Sequence, residues 1–166
     1  FRRVLFRSRA QERLTIETFL RTAMRRDELL LYYQPRVSFL TGKVTGVEAL
    51  LRWQHPERGL LMPDKFIGVA EDAGLIVSIG EWVFEHAFKQ IAEWRKKSDL
   101  DLRLAVNLSV GQMFDGERLL RAISQAAKAA EIDPSVVELE LTESMLLKNI
   151  DENAELLTRL GAMGLG

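Results

Sequence analysis

The sequence predicts an α/β fold, with a sheet either layered against helices or closed into a barrel. Three observations carry this. Strand-like runs alternate with helical ones along most of the chain. Three of the strand-like runs have one wholly apolar face, suited to cover by helices, and a second face bearing a carboxylate or carboxamide. The first two runs, LLLYYQPRVSF and KVTGVEALLRW, meet around Thr41-Gly42, a turn signal with a hairpin reading.

Taken in order, residues 11–28 place Ile16, Phe19, Leu20, Ala23 and Met24 at helical spacing among charged residues. The acids Glu12, Glu17, Asp27 and Glu28 argue for an ordinary helix over a transit peptide. In the first strand Pro35 removes a ladder donor and suits an edge or a bulge. HPERG (55–59) reads as a loop. Pro63 suits the first turn of a helix running to about Ala73, with Gly74 placed to end it. Met62 is a poor cap for that helix, and Gly68 inside it costs about 1 kcal/mol relative to Ala. A longer helix follows, with Ile79, Trp82, Val83, Ala87, Ile91 and Trp94 on one face, and Lys96 and Lys97 complement its C-terminus. LRLAVNLS is a strand. Asp115 can cap a helix that buries Leu119, Leu120, Ile123, Ala127 and Ala130. After Ile132-Asp133-Pro134, VVELELTE is a further strand, and a last helix carries Leu156, Leu157 and Leu160.

The 166 residues are 47% hydrophobic and 28% charged, enough for one sizeable core. With no cysteine, no disulfide framework or thiolate metal site is possible, and two histidines make a zinc site of the usual kind a poor fit. Any metal must be held by oxygen, which favours a hard cation. No apolar stretch approaches the ~18 residues of a membrane span. The first eight residues, FRRVLFRS, resemble a translated sequencing adapter; residues 1–8 are therefore expected to be foreign, the alternative being a basic arm, and 9–25 to be a linker or first helix. Removing Arg2, Arg3 and Arg7 leaves 20 basic against 24 acidic residues, a net charge of −4. That is no field for gripping a DNA or RNA polymer.

The polar strand faces carry the chemistry. Residues 46–53 put Val47, Ala49, Leu51 and Trp53 on one face and Glu48, Leu50 and Arg52 on the other. Residues 103–109 put Arg103, Ala105, Asn107 and Ser109 opposite Leu104, Val106 and Leu108; residues 136–142 put Val136, Glu138, Glu140 and Thr142 opposite Val137, Leu139 and Leu141. In an open antiparallel sheet the polar face is simply the wet one. In a barrel it is the interior, and Glu48, Asn107 and Glu140 converge there as a plausible divalent-cation cradle. Were residues 48–52 helical, Glu48 and Arg52 would be a surface pair worth ~0.3–0.5 kcal/mol. On a strand they share a face but lie about 13 Å apart and do separate jobs.

From about Arg26 to Gly166 the sequence resembles an EAL domain, the bacterial cyclic di-GMP phosphodiesterase. The matching stretches are YYQPRVSFLTGKVTGVEALLRWQHPERGLLMPDKFI, AEDAGLI, AVNLS with Gln112 following, and ELELTES. The resemblance implies a TIM-like (β/α)8 barrel with one antiparallel strand, here truncated to roughly its first half. It implies that Glu48, Asn107 and Glu140 are ligands of Mg²⁺ or Mn²⁺, that Arg52 contacts a phosphate, that Gln34 lies near the substrate and that Glu143 steadies the loop after its strand. Glu71 and His55 are assigned to structure. The implied reaction is metal-assisted hydrolysis of cyclic di-GMP to linear pGpG. The alternative is a cyclic di-GMP receptor or interaction module without catalysis. A cytoplasmic domain is expected, homodimeric in the full-length protein, behind an upstream sensor or GGDEF domain, with any membrane anchor lying upstream.

Three positions depart from the family pattern before the end: Arg36, Gly68 and Gly111. None is expected to touch the metal ligands. GAMGLG is read as a cut. The resemblance implies a further strand from about residue 167 carrying paired aspartates, with the family's lysine and catalytic base beyond. The chain alone is therefore expected to be inactive, with its last strand unpaired.

Overall fold

The computed structural model describes residues 2–97, 101–142, 145 and 150–166. Helix α1 (Arg2–Ala23) leads through a 3-10 turn (Met24–Arg26) into the hairpin of β1 (Leu29–Val37) and β2 (Val44–His55). Strand β3 (Gly59–Leu61), a 3-10 turn (Pro63–Lys65), α2 (Ile67–Asp72) and α3 (Ile76–Lys97) follow. The chain continues with β4 (Arg103–Asn107), α4 (Val110–Met113), α5 (Gly116–Ala130), a 3-10 turn (Pro134–Val136), β5 (Val137–Glu140) and α6 (Ile150–Ala162).

The strands form one mixed sheet in the order β1-β2-β4-β5, with β3 added to the end of β2. The β1–β2 hairpin is antiparallel, pairing Leu29 with Trp53 through to Val37 with Val44, while β2–β4 and β4–β5 are parallel. The hairpin prediction holds at its turn, where Gly42 has φ +66° and the Ser38 amide donates to the Lys43 carbonyl across 2.9 Å. Pro35 lies in β1, which has only β2 as a partner among the described residues, next to a register shift at Arg36/Val37. This is the edge-and-bulge setting a strand proline needs.

The core fills the space between the apolar strand faces and the helices. Val47, Ala49 and Trp53 of β2, Leu104 and Val106 of β4, and Val137 of β5 are all buried. Helix α3 covers them with Ile79, Val83, Ala87 and Ile91, as its spacing predicted, and adds Phe84 and Phe88. Its Trp94 meets Tyr33 of β1 edge-on at 4.8 Å, and burial pushes the Tyr33 phenol up to about 12. Helix α1 is held to this body by Ile16, Leu20 and Ala23.

Several expectations change. The helix foreseen for Pro63–Ala73 is a 3-10 turn followed by the two-turn α2, because Phe66 leaves helical geometry at φ −136° to bury its ring against Trp53. Gly74, at φ +68°, follows it as expected. The HPERG loop closes onto an unforeseen strand, β3. The last strand is not wholly unpaired: the Gly166 amide donates to the Val137 carbonyl and the Leu139 amide to the Gly166 carbonyl, both at 3.0 Å. This parallel-type bridge sets Gly166 beside Glu138.

Candidate functional site

Glu48 stands mid-strand in β2, flanked by Val47 and Ala49 on the opposite, buried face. Alternation therefore leaves its carboxylate on the other side of the sheet, where it is half-buried. Its antiparallel partner is Gln34 and its parallel partner Ala105. Asn107 lies two residues beyond Ala105 on the same face, and its Nδ2 donates to Glu48 Oε1 across 2.8 Å. Asn107 is in turn in register with Glu140, the last residue of β5. The three predicted ligands thus lie on one face of three adjacent strands, with two in direct contact.

With Nδ2 engaged by Glu48, Asn107 retains its carbonyl oxygen as a free type of donor to a cation. Two carboxylates and a carboxamide form an all-oxygen set that matches a hard divalent ion. Among the described residues no three His, Cys, Asp or Glu side chains come together as a metal cluster.

Arg52 stays on strand β2 and makes no ion pair with Glu48 among the described residues. Its Nη1 donates to the neighbouring Leu51 carbonyl at 2.8 Å, and its guanidinium sits over the Tyr32 ring, 5.4 Å from the centroid. Stacked this way, it keeps donors for an anion. Glu143 lies outside the described residues.

Arg36 corrects an expectation. It touches a proposed ligand: Nη2 lies 3.2 Å from Glu140 Oε1 while Nη1 donates to Glu138 Oε2 at 2.8 Å. Glu138 Oε1 also receives Arg103 Nη1 at 3.0 Å. Alternation applied to β1 gives the signal that was missed, since Arg36 is two residues from Gln34 and shares its face. In the sequence Gln112 stands out only as part of a motif. It is buried, and its Oε1 accepts from the Ser109 amide (3.0 Å) and hydroxyl (3.1 Å), fixing the turn two residues after Asn107. The S-x-x-Q spacing of a capping box was the legible sign.

Comparison with known proteins gives the family. The family model described as "EAL domain" matches residues 18–166. The chain is 43% identical over 157 residues to the Pseudomonas aeruginosa bifunctional diguanylate cyclase/cyclic di-GMP phosphodiesterase MucR, covering 95% of this chain and 23% of that protein. It is 38% identical over 156 residues to the Escherichia coli cyclic di-GMP phosphodiesterase PdeR, covering 94% of this chain and 23% of that protein. The chain thus spans about a quarter of the length of these curated relatives. Among solved structures it is similar to the PaMucR phosphodiesterase in complex with c-di-GMP, with TM-score 0.86 and 41% identity over 92% of this chain and 61% of that one. With a family match over nearly its whole length, on a mixed α/β sheet that gathers Glu48, Asn107 and Glu140 on one face, the chain belongs to the EAL domain family.

Proposed function

We propose that the protein carrying this chain hydrolyses cyclic di-GMP to linear pGpG. The observation that carries the reading is the placement of Glu48 of β2 on one sheet face with Asn107 and Glu140, which end β4 and β5, two of the three being in contact at 2.8 Å. Parallel strands with their polar residues at the C-terminal ends are where α/β barrels keep their sites. The contact from Arg36 of β1 to Glu138 and Glu140 of β5 passes over β2 and β4, as expected of a sheet curled toward its polar face. This supports the chain as part of a (β/α)8 barrel.

Mg²⁺ or Mn²⁺ would be held by Glu48, Asn107 and Glu140, and supplies, when bound, charge stabilisation at the phosphodiester and activation of water. The chain's own residues do the rest. Asn107 fixes the orientation of Glu48. Arg52, stacked on Tyr32, presents its planar fork to a phosphate. Gln34, in register with Glu48 on β1, would sit beside the bound dinucleotide. The net reaction adds water across one P–O3′ bond, leaving a 5′-phosphate and a free 3′-hydroxyl. The full-length protein is expected to carry further domains, as the bifunctional name of MucR illustrates.

The test is release of pGpG from cyclic di-GMP by the full-length protein with Mg²⁺ or Mn²⁺, followed by chromatography. Turnover abolished by chelation and by Glu48→Gln is expected. Tight binding of cyclic di-GMP without turnover would replace this reading with that of a receptor.

A further inference from the structure

Four charged side chains form one line across the polar face: Arg103 of β4, Glu138 of β5, Arg36 of β1 and Glu140 of β5. Consecutive members are 3.0, 2.8 and 3.2 Å apart. Arg36 divides its two terminal nitrogens between two carboxylates, and only the second of these is a proposed cation ligand. Gly46, in register with Arg36 on β2, puts no side chain between them. A Cβ there would meet the Arg103 carbonyl oxygen at 2.6 Å, so β2 and β4 approach closely at this level.

We propose that Arg36 is a positioning residue for the cation ligand Glu140. Anchored on Glu138, its guanidinium fixes Oε1 of Glu140 and leaves Oε2 for the divalent ion. This rests on the reading of Glu48, Asn107 and Glu140 as a divalent-cation site. A glutamate at a strand end has three side-chain torsions to immobilise before it can ligate, and an existing strut removes that cost from metal binding. Partners that orient ligating carboxylates typically contribute 10–100-fold in metal affinity. The opposing effect is repulsion between the guanidinium and the cation. Arg36 is 44% exposed and shares Glu138 with Arg103, so water and ions screen its repulsion of the cation, while its direct contact with Glu140 at 3.2 Å is screened less. Lysine cannot replace the fork, because a single ammonium is a point charge that does not bridge two carboxylates in a fixed plane.

The experiment is Mn²⁺ titration of the full-length protein, with free ion counted by electron paramagnetic resonance and folding checked by circular dichroism. Arg36→Met is expected to raise the Mn²⁺ dissociation constant about tenfold or more. Arg36→Lys should fall between Arg36→Met and the unmodified protein. Glu138→Gln should reproduce most of the loss, and the double variant should bind no worse than Arg36→Met alone, because the two residues act as one strut. At saturating Mn²⁺ the kcat of Arg36→Lys should return close to that of the unmodified protein while its KM for Mn²⁺ stays raised. Unchanged or tighter Mn²⁺ binding in folded Arg36→Met and Arg36→Lys overturns the strut. Failure of the unmodified protein to bind Mn²⁺ at all instead overturns the cation site on which it rests.

Discussion

The Asn107 amide nitrogen holds a carboxylate oxygen of Glu48 at 2.8 Å, tying the end of β4 to the middle of β2. The register makes this possible. Glu48 faces Ala105, whose methyl leaves the space over which Asn107 reaches back. Removing the amide frees a half-buried carboxylate to rotate. Asn107→Ala is expected to weaken Mn²⁺ binding by about 10–100-fold through the loss of one ligand and the orientation of another. Its effect on stability should be small, within about 0.5 kcal/mol, because Asn107 is exposed. Mn²⁺ titration and chemical denaturation of the same variant check both statements.

Arg52 and Glu48 share a face of β2 but stand four residues apart on an extended strand, about 13 Å. Arg52 instead stacks on Tyr32. Its replacement should therefore leave the cation site intact and act on the nucleotide. Arg52→Lys is expected to raise KM for cyclic di-GMP about tenfold, the value of one charge-assisted hydrogen bond. The Mn²⁺ dissociation constant should stay unchanged. A shift in Mn²⁺ affinity comparable to that in KM would mean that the two residues are coupled after all.

Period-two alternation made most of the site legible. Val47, Ala49, Leu104, Val106 and Val137 are apolar because helices cover them, and their neighbours Glu48, Asn107 and Glu140 had to lie opposite. The hairpin was legible because Gly42 alone in its turn tolerates φ +66° without strain. What sequence could not supply was contact between distant strands. Arg36 and Glu140 are 104 positions apart, and their meeting depends on the curl of the sheet and not on any local preference. The break at Phe66 was hidden for a similar reason: burying its ring against Trp53 overrides the helical signal of Pro63.

His55 should make the fold sensitive to mild acid. The ring is 1% exposed, packed between Phe19 and Trp53 with centroids at 4.6 and 4.8 Å. Nδ1 accepts from the Glu57 amide at 3.1 Å, so the neutral ring carries its proton on Nε2, which has no partner among the described residues. Burial lowers its pKa below the ordinary 6.5, and Arg58 lowers it further, against opposing pulls from Glu57 and Glu28. The unfolded chain therefore binds the proton first as pH falls. Stability from this group is present above about pH 6.5 and is lost as the pH drops below it. The thermal midpoint should fall between pH 7.5 and about 5.5, and His55→Gln should flatten that slope by lowering stability about 1–2 kcal/mol at pH 7.5 and less at pH 5.5. His86, the other histidine, is exposed. An unmodified protein with a flat profile over this interval would contradict the assignment.

Gly80 of α3 tests how the turn behind Asn107 is held. A Cβ at this position would lie 2.0 Å from Nε2 and 2.7 Å from Cδ of Gln112. Gln112 is 6% exposed and its Oε1 is occupied by Ser109, so it cannot swing away without giving up both bonds. Gly80→Ala, favourable for a bare helix, is therefore expected to destabilise the protein by about 1–3 kcal/mol through overpacking. The loss should reach the cation site as well, because Ser109 begins the turn that ends β4. Gln112→Ala removes both the clash and the cap. Placed on top of Gly80→Ala it should add little further loss, so the pair is strongly non-additive in denaturation and in Mn²⁺ titration alike. Simple additivity of the two substitutions would show that Gly80 and Gln112 do not share this packing constraint.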